Sequence, residues 1–174
     1  MAAKREITRD DILMPEAYGP LRKEKRAALV ALKRPRRIEI GPVATAYFEC
    51  YETMLHQIHE MLFIEKGGEA QIEDELSAYN PLVPKGDELV ATVMFEIDDP
   101  IRRGNFLARL GGVEETMFFR FADEEVVGRP EEDVDRTTAD GKASSVQFIH
   151  FPFTTAQIAL FKKPGTQKIG RAHV

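Results

Sequence analysis

Cysteine, tryptophan and long apolar runs are scarce or missing in this sequence of 174 residues. The one cysteine, Cys50, excludes an intrachain disulfide. No stretch approaches the roughly 18 consecutive apolar residues of a membrane-spanning helix. The first residues lack the apolar run of a secretory signal peptide. We therefore expect a cytoplasmic protein without a membrane partner.

Recognisable catalytic and phosphate-binding motifs are also missing. The glycine pairs Gly67-Gly68 and Gly111-Gly112 both follow predicted helices, which is typical of helix ends rather than of phosphate-binding loops. No Gly-x-Ser-x-Gly nucleophile elbow occurs in the sequence. The motifs therefore name no reaction and leave open whether the protein is an enzyme.

Size and composition are those of an ordinary globular protein. The chain is 43% hydrophobic and 30% charged, which argues against a disordered or fibrous protein. Its length fits one domain. We predict a single domain over residues 1–174, with a helical N-terminal segment at 1–35 and a sheet-containing body at 36–174.

Charge is distributed unevenly along the chain. The net charge is +5 over residues 1–40, −11 over 41–100, −4 over 101–141 and +5 over 142–174. The basic cluster of the N-terminal part consists of Arg22, Lys23, Lys25, Arg26, Arg34, Arg36 and Arg37. A nucleic-acid patch there is the alternative to a solvated surface, but the sequence pI near 5.5 disfavours it. We expect no tight binding to nucleic acid.

The N-terminal part is predicted to be helical. Thr8 suits the N-cap of a short helix. Pro20 suits the first turn of a longer helix, where the missing N–H has no intrahelical partner. Pro35 should end that helix near Arg34, because a proline disfavours helical backbone in the residue before it.

A hairpin is predicted next, with one alternative. Residues 37–40 alternate like a strand, and 43–49 suit the second strand. The apolar positions of 43–49 also keep the phase of the following helix, so a long helix from Pro42 to Lys66 is the alternative. The helix Tyr51–Lys66 itself has the clearest apolar face of the chain.

Strands and short helices alternate in the remainder. The predicted elements are helices at 70–78, from Pro100 and after Thr154 or Thr155, strands at 88–97, 116–122, 145–153 and 167–172, and a mobile acidic loop at 123–141. The strand at 145–153 is apolar on both faces and should lie inside the sheet. This order predicts an α+β fold, a mostly antiparallel sheet with flanking helices.

Five segments resemble a known family. They are Ile7–Ile12, Arg36–Pro42, His59–Leu62, Ser145–Phe148 and Glu75–Leu82, whose Ala-Tyr-Asn-Pro-Leu run is the most distinctive. Over nearly its whole length the chain resembles an uncharacterised bacterial family, domain of unknown function 3501 (DUF3501), which has no established activity. The resemblance implies a link to peroxide or redox metabolism, with partners of the rubrerythrin or iron–sulfur type, because such proteins are often encoded beside family members.

One face of the predicted helix Tyr51–Lys66 carries candidate metal ligands. Glu52, His56 and His59 follow each other at helical spacing, and Glu60 borders the group. Imidazole and carboxylate suit zinc, iron or manganese, so a divalent metal is one interpretation and a solvated polar face is the other. The family pattern has glutamine where His56 and His59 stand, which argues against a metal site common to the family.

Other candidate residues are scattered along the chain. Glu65 is expected to be either frayed into solvent or buried against a charged partner. His150 lies in a predicted buried strand, either as a neutral core histidine or in a ligand or proton-transfer role with Arg120. Cys50 is expected to be an inert, buried thiol.

The function that these observations favour is that of an accessory or binding protein, linked to redox or peroxide metabolism and acting on a protein partner. The alternative is a metal- or small-molecule-dependent enzyme whose site is assembled from distant residues. Charge separation between the acidic middle and the basic C-terminal part also predicts a homodimer. Its apolar centre is expected from Phe148, Phe151, Phe153 and Phe161.

Overall fold

The computed structural model describes residues 4–131, 136–139, 141–166 and 168–172. Contacts divide the chain into two compact units. Unit 1 comprises Met1–Arg36 and Phe48–Gly86, and unit 2 comprises Arg37–Tyr47 and Asp87–Val174. The helices at 51–65 and 71–79 therefore cluster with the N-terminal segment, not with the sheets, which differs from the predicted boundary at residue 36. A single domain stays a prediction.

Unit 1 is helical. It contains α1 (Pro15–Lys33), α2 (Tyr51–Glu65), α3 (Gln71–Tyr79) and several short 3₁₀ turns. Thr8 is the N-cap residue of the first of these turns, as its position in the sequence predicts, and its backbone N–H and hydroxyl both donate to the Asp11 carboxylate, at 3.0 and 2.9 Å. Met54, Ile58 and Leu62 of α2 are buried, which confirms the apolar face of that helix.

Helix α1 begins five residues earlier than the sequence indicates. Pro15 occupies the first turn and Pro20 lies inside the helix. A proline disfavours helical backbone in the preceding residue because its ring approaches that residue's Cβ. Gly19 has no Cβ, which relieves this conflict. The exposed Glu16 loses one helical hydrogen-bond donor to its carbonyl, where solvent can replace it.

Helix α2 ends through a residue that the sequence does not single out. Lys66, and not a glycine, takes the left-handed backbone conformation at the C-cap, with φ of 57°. Gly68 follows with φ of 69°. The prediction that Gly67-Gly68 supplies the left-handed residue at the helix end is therefore wrong by one position, although the helix ends where the sequence predicts.

Unit 2 contains two sheets, α4 (Pro100–Leu107) and α5 (Thr155–Lys162). The strands are β1 (Arg37–Ile40), β2 (Ala44–Phe48), β3 (Glu88–Phe95), β4 (Met117–Phe121), β5 (Glu124–Val127), β6 (Arg129–Pro130), β7 (Val146–Pro152) and β8 (Lys168–Ala172). Five strands form one sheet in the order β1-β2-β3-β7-β6, and three form the other in the order β5-β4-β8. The predicted α+β fold with antiparallel pairing is confirmed.

Two local alternatives are settled. Residues 44–48 pair with β1 as a hairpin, with Arg37 opposite Tyr47 and Ile40 opposite Ala44, so the long helix from Pro42 is wrong. The segment predicted as one mobile loop at 123–141 contains β5 and β6. Strand β7 lies inside its sheet, between β3 and β6, as predicted.

Phenylalanine rings form the core of unit 2. Phe121 and Phe161 meet edge to face at 5.1 Å between ring centroids, and Phe119 meets Phe151 at 4.6 Å. Phe153 contacts both Phe121 and Phe161. Three of the four rings expected at a dimer centre thus pack within their own unit. Phe148, the fourth, has the guanidinium of Arg136 4.4 Å from its ring centroid.

Candidate functional site

Helices α1 and α2 pack against each other, and Tyr18 and Gly19 of α1 lie against α2. A Cβ atom at Gly19 would lie 3.2 Å from Cε2 of Phe63, so the glycine permits this approach. The fully buried ring of Tyr18 stacks on the imidazole of His59 at 4.9 Å between centroids. Tyr18 also meets the ring of Phe63 edge to face. These contacts close one end of the α1–α2 interface.

A charged network locks the same end. The Tyr18 hydroxyl donates to Oε1 of Glu60 at 2.6 Å, and Arg22 donates from Nε and Nη2 to the two carboxylate oxygens of Glu60 at 2.9 and 2.8 Å. This bidentate pair lowers the pKa of Glu60 to about 2. Burial and the neighbouring Glu60 raise the pKa of Tyr18. Glu60 is therefore ionised and fully occupied by protein partners.

His59 is a neutral imidazole with an assigned acceptor nitrogen. Its Nε2 accepts the backbone N–H of Leu13 at 2.9 Å, so the ring proton resides on Nδ1. Burial lowers the pKa of His59 to about 4, and the nearby Lys25 ammonium acts in the same direction. The sequence expectation of a solvated histidine face does not hold here, because His59 is only 2% exposed.

His56 lies one turn before Glu60 and is half-buried. Its Nδ1 is 3.4 Å from the Tyr18 hydroxyl oxygen, and its Nε2 is 4.0 Å from Oε1 of Glu60. Burial is the main cause that lowers the pKa of His56, and the cations Lys33, Arg26 and Lys25 add to the effect while Glu60 opposes it. His56 is therefore neutral at neutral pH.

Beyond this closed end, a cleft of about 340 Å³ opens between the two helices. Its lining consists of Lys25, Ala28, Leu29 and Leu32 from α1 and Glu52, Leu55, His56 and His59 from α2. Four of these eight residues are aliphatic. The volume lies at the small end of the range for small-molecule sites. An apolar lining with a few polar groups is the usual composition of such a site.

The structure does not arrange the predicted metal ligands around a common point. No group of three His, Cys, Asp or Glu side chains that could hold a metal ion occurs in the described part of the chain. Glu60 is paired with Arg22, His59 accepts from Leu13 and Glu52 is exposed at the rim of the cleft. The geometry favours a hydrogen-bonded wall of the cleft at these positions.

Cys50 and Glu65 take local roles. Cys50 is the N-cap residue of α2, and burial raises the pKa of its thiol, which favours the inert thiol that the sequence predicts. Glu65 is exposed and accepts a hydrogen bond from Gln71 at 2.6 Å. Of its two predicted states, the solvated one is present.

His150 is a charged bridge in unit 2 and not a neutral core histidine. Its Nδ1 lies 2.9 Å from Glu88 and its Nε2 lies 2.7 Å from Glu131. A carboxylate on each ring nitrogen stabilises the imidazolium, and the hydrogen bond to Glu88 is the first cause of its raised pKa. Arg120, its predicted partner, instead pairs with Glu125 at 2.7 Å. The structure does not bring Arg120 and His150 together.

A second cavity, of about 430 Å³, lies in unit 2. Its lining comes from the β4–β5 turn and the end of α5: Arg120, Phe121, Ala122, Leu160, Lys163, Pro164, Gly165 and Thr166. Arg120 is held by Glu125, and the Thr166 hydroxyl donates to the Leu160 carbonyl. Arg120 and Thr166 of this cavity therefore already bind other groups of the protein, and the α1–α2 cleft is the stronger candidate site.

The comparisons with known proteins bear on family and fold. A family model described as a protein of unknown function, DUF3501, matches residues 6–174. The chain belongs to the DUF3501 family. A crystal structure of a novel protein of unknown function from Burkholderia pseudomallei is 36% identical, covers 97% of this chain and 93% of its own, and has a TM-score of 0.83. No curated protein matches the chain.

In this DUF3501 protein, the Ala-Tyr-Asn-Pro-Leu run at residues 78–82 stabilises the structure through Asn80. Asn80 accepts the backbone N–H of Ile7 at 2.8 Å and donates to the carbonyl oxygen of Ile7 at 2.9 Å. Lys85 adds hydrogen bonds to the carbonyls of Arg5 and Asn80. Within unit 1, these bonds attach the N-terminal segment to residues 80–85, and Leu13 at the end of that segment donates its backbone N–H to His59.

Sequence reasoning missed two contributors to the site. The sequence gives no role to Tyr18, because it predicts that the helix begins at Pro20. The sequence places Arg22 in a basic cluster, whereas in the structure it forms an ion pair with Glu60. The apolar spacing of Ala28, Leu29 and Leu32 is the signal in the sequence that indicates the cleft wall.

Among the residues that the structure describes, none of the helices has both the length and the apolar character needed to span a membrane.

Proposed function

We propose that this protein is a binding protein that holds a small molecule with an apolar body in the α1–α2 cleft. The observation that carries the proposal is the cleft itself. Leu29 and Leu32 of α1 and Leu55 of α2 line a space of about 340 Å³. Burying this apolar surface against a ligand would contribute roughly 25 cal/mol for each Å² removed from water.

The closed end of the cleft supports a preformed site. Tyr18, Glu60 and Arg22 hold α1 on α2 without help from a ligand. His59 is fixed by Leu13 and by the stacked ring of Tyr18. A wall that is already ordered loses little conformational entropy on binding, which favours affinity for a small ligand.

The test is titration with N-phenyl-1-naphthylamine, a neutral apolar dye whose fluorescence rises in an apolar site. We expect saturable binding at one site. Ala28→Trp should fill the cleft and weaken dye binding at least fivefold. Ala27→Trp is the matched control, because Ala27 is on the same helix but is not part of the lining. Equal binding by the two variants would contradict the proposal.

We also propose a cellular context for this binding protein. A link to redox or peroxide metabolism, with rubrerythrin-like or iron–sulfur partners, is supported by the family resemblance alone. Native mass spectrometry of protein purified without chelator should reveal the natural ligand as a mass that Ala28→Trp removes. Release of that ligand in chemically altered form would favour the alternative, an enzyme assembled from distant residues.

A further inference from the structure

We infer that the natural ligand of the α1–α2 cleft is a small organic anion with an apolar body, and that its binding takes up a proton at His56. The inference rests on the proposed function and adds to it the charge of the ligand and the regulation of the site.

The charge of the cleft wall is the first step. Lys25 is part of the lining and is close enough to act on both imidazoles. Arg26 and Lys33 act on His56 from the same helix. On the acidic side, Glu60 is offset by the bidentate Arg22, and Glu52 contributes one carboxylate to the lining itself. The three cations Lys25, Arg26 and Lys33 outnumber the carboxylate of Glu52, so the net charge around the apolar cleft is positive, which is complementary to an amphiphilic anion.

The chemistry of the polar floor is the second step. His59 keeps its proton on Nδ1 because Nε2 accepts from Leu13, so the ring has an N–H and no charge. His56 is also neutral at neutral pH, because burial and the nearby cations lower its pKa. Neutral imidazoles allow an acidic ligand group to approach without repulsion.

Proton coupling follows from the neighbours of His56. The titratable and charged groups that face or act on it are Tyr18, Lys25, Arg26 and Lys33 from α1 and Glu52, His59 and Glu60 from α2. Burial and the three cations oppose the imidazolium. A bound anion would offset these cations and stabilise the imidazolium, so the pKa of His56 would rise on binding. By linkage, the affinity for the anion must increase as the pH falls.

The experiment uses three octyl compounds as competitors of the dye: octanesulfonate, octanol and octylamine. They share the apolar chain, and the sulfonate stays ionised across the pH range. We expect octanesulfonate to bind at least about tenfold more tightly than octanol, and octylamine to bind most weakly. Lys25→Gln should weaken the sulfonate about tenfold and leave octanol unchanged. Lys23→Gln, on the same helix but outside the lining, is the matched control.

The pH arm tests the proton. Between about pH 8 and about pH 5, sulfonate affinity should rise as the pH falls, by at most about tenfold per pH unit, and should still be rising at pH 6.5, because the pKa of His56 in the free protein lies below that ordinary value. His56→Gln should abolish this slope, and octanol should show none. A pH-independent sulfonate affinity would overturn the proton coupling. Tighter binding of octanol or octylamine would overturn the anion class while the dye result still supported the cleft, and failure of the dye as well would overturn both proposals.

Discussion

The bridge formed by His150 should make the stability of unit 2 depend on pH. His150 lies on β7, Glu88 on β3 and Glu131 directly after β6, so one imidazolium joins three neighbouring strands. All three side chains are less than one-fifth exposed. Because water has little access to these side chains, it screens the attraction between the imidazolium and the carboxylates only weakly.

The magnitude follows from two charge-assisted hydrogen bonds. Each such bond contributes about 1.5–3 kcal/mol, and part of this is offset by desolvation of the charged groups. We expect His150→Phe to lower the free energy of unfolding by about 3 kcal/mol near pH 6. The phenyl ring retains the approximate size of the imidazole but leaves Glu88 and Glu131 without a cation between them.

The sign of the pH dependence is determined by the direction of the pKa shift. The pKa of His150 is raised in the folded protein above its ordinary value of 6.5. Its contribution is therefore fully present below pH 6.5 and is lost as the pH rises through the higher folded value. Each tenfold gain in proton affinity on folding corresponds to about 1.4 kcal/mol.

The assay is chemical denaturation at intervals between about pH 6 and about pH 9, with the imidazole proton resonances of His150 followed by NMR in parallel. The native protein should lose stability across this interval, and His150→Phe should not show that loss. Glu125→Gln is the control: its pair with Arg120 is exposed, and such pairs contribute about 1 kcal/mol or less. A native unfolding free energy that is flat from pH 6 to pH 9 would refute the reasoning.

Four further outcomes are expected. Ile58→Ala should cost about 2–5 kcal/mol because Ile58 is fully buried in α2, and an unchanged melting temperature would refute that packing. Asn80→Ala should cost about 2 kcal/mol, since it leaves the buried backbone N–H and carbonyl of Ile7 unpaired; faster proteolysis of the N-terminal segment is the readout. Fluorescence anisotropy should show no submicromolar binding to duplex DNA at physiological salt. Analytical ultracentrifugation should show a dimer, and a single species near 19.7 kDa at low and high salt would exclude it.

Elements with a strong local signal could be predicted from the sequence. The apolar face of α2 repeats at helical spacing, and the N-caps Thr8 and Thr154 precede their helices as the capping rules require. The errors occur where a distant contact decides the outcome. Helix α1 extends back through Pro20 because Tyr18 is anchored on α2. Strands β5 and β6 form in an acidic stretch because β4 and β7 provide their hydrogen-bond partners.

The candidate site shows the same division between local pattern and distant partner. A helical wheel correctly places His56 and His59 on one side of α2, but the wheel cannot show which groups face them. Leu13 lies 46 residues before His59 and belongs to no recognisable motif, yet its backbone N–H determines the tautomer of His59. Arg22 converts Glu60 from a potential metal ligand into half of an ion pair. With those two partners occupied, what remains open beside the imidazoles is an aliphatic cleft near Lys25, and that combination favours an amphiphilic anion over a metal ion.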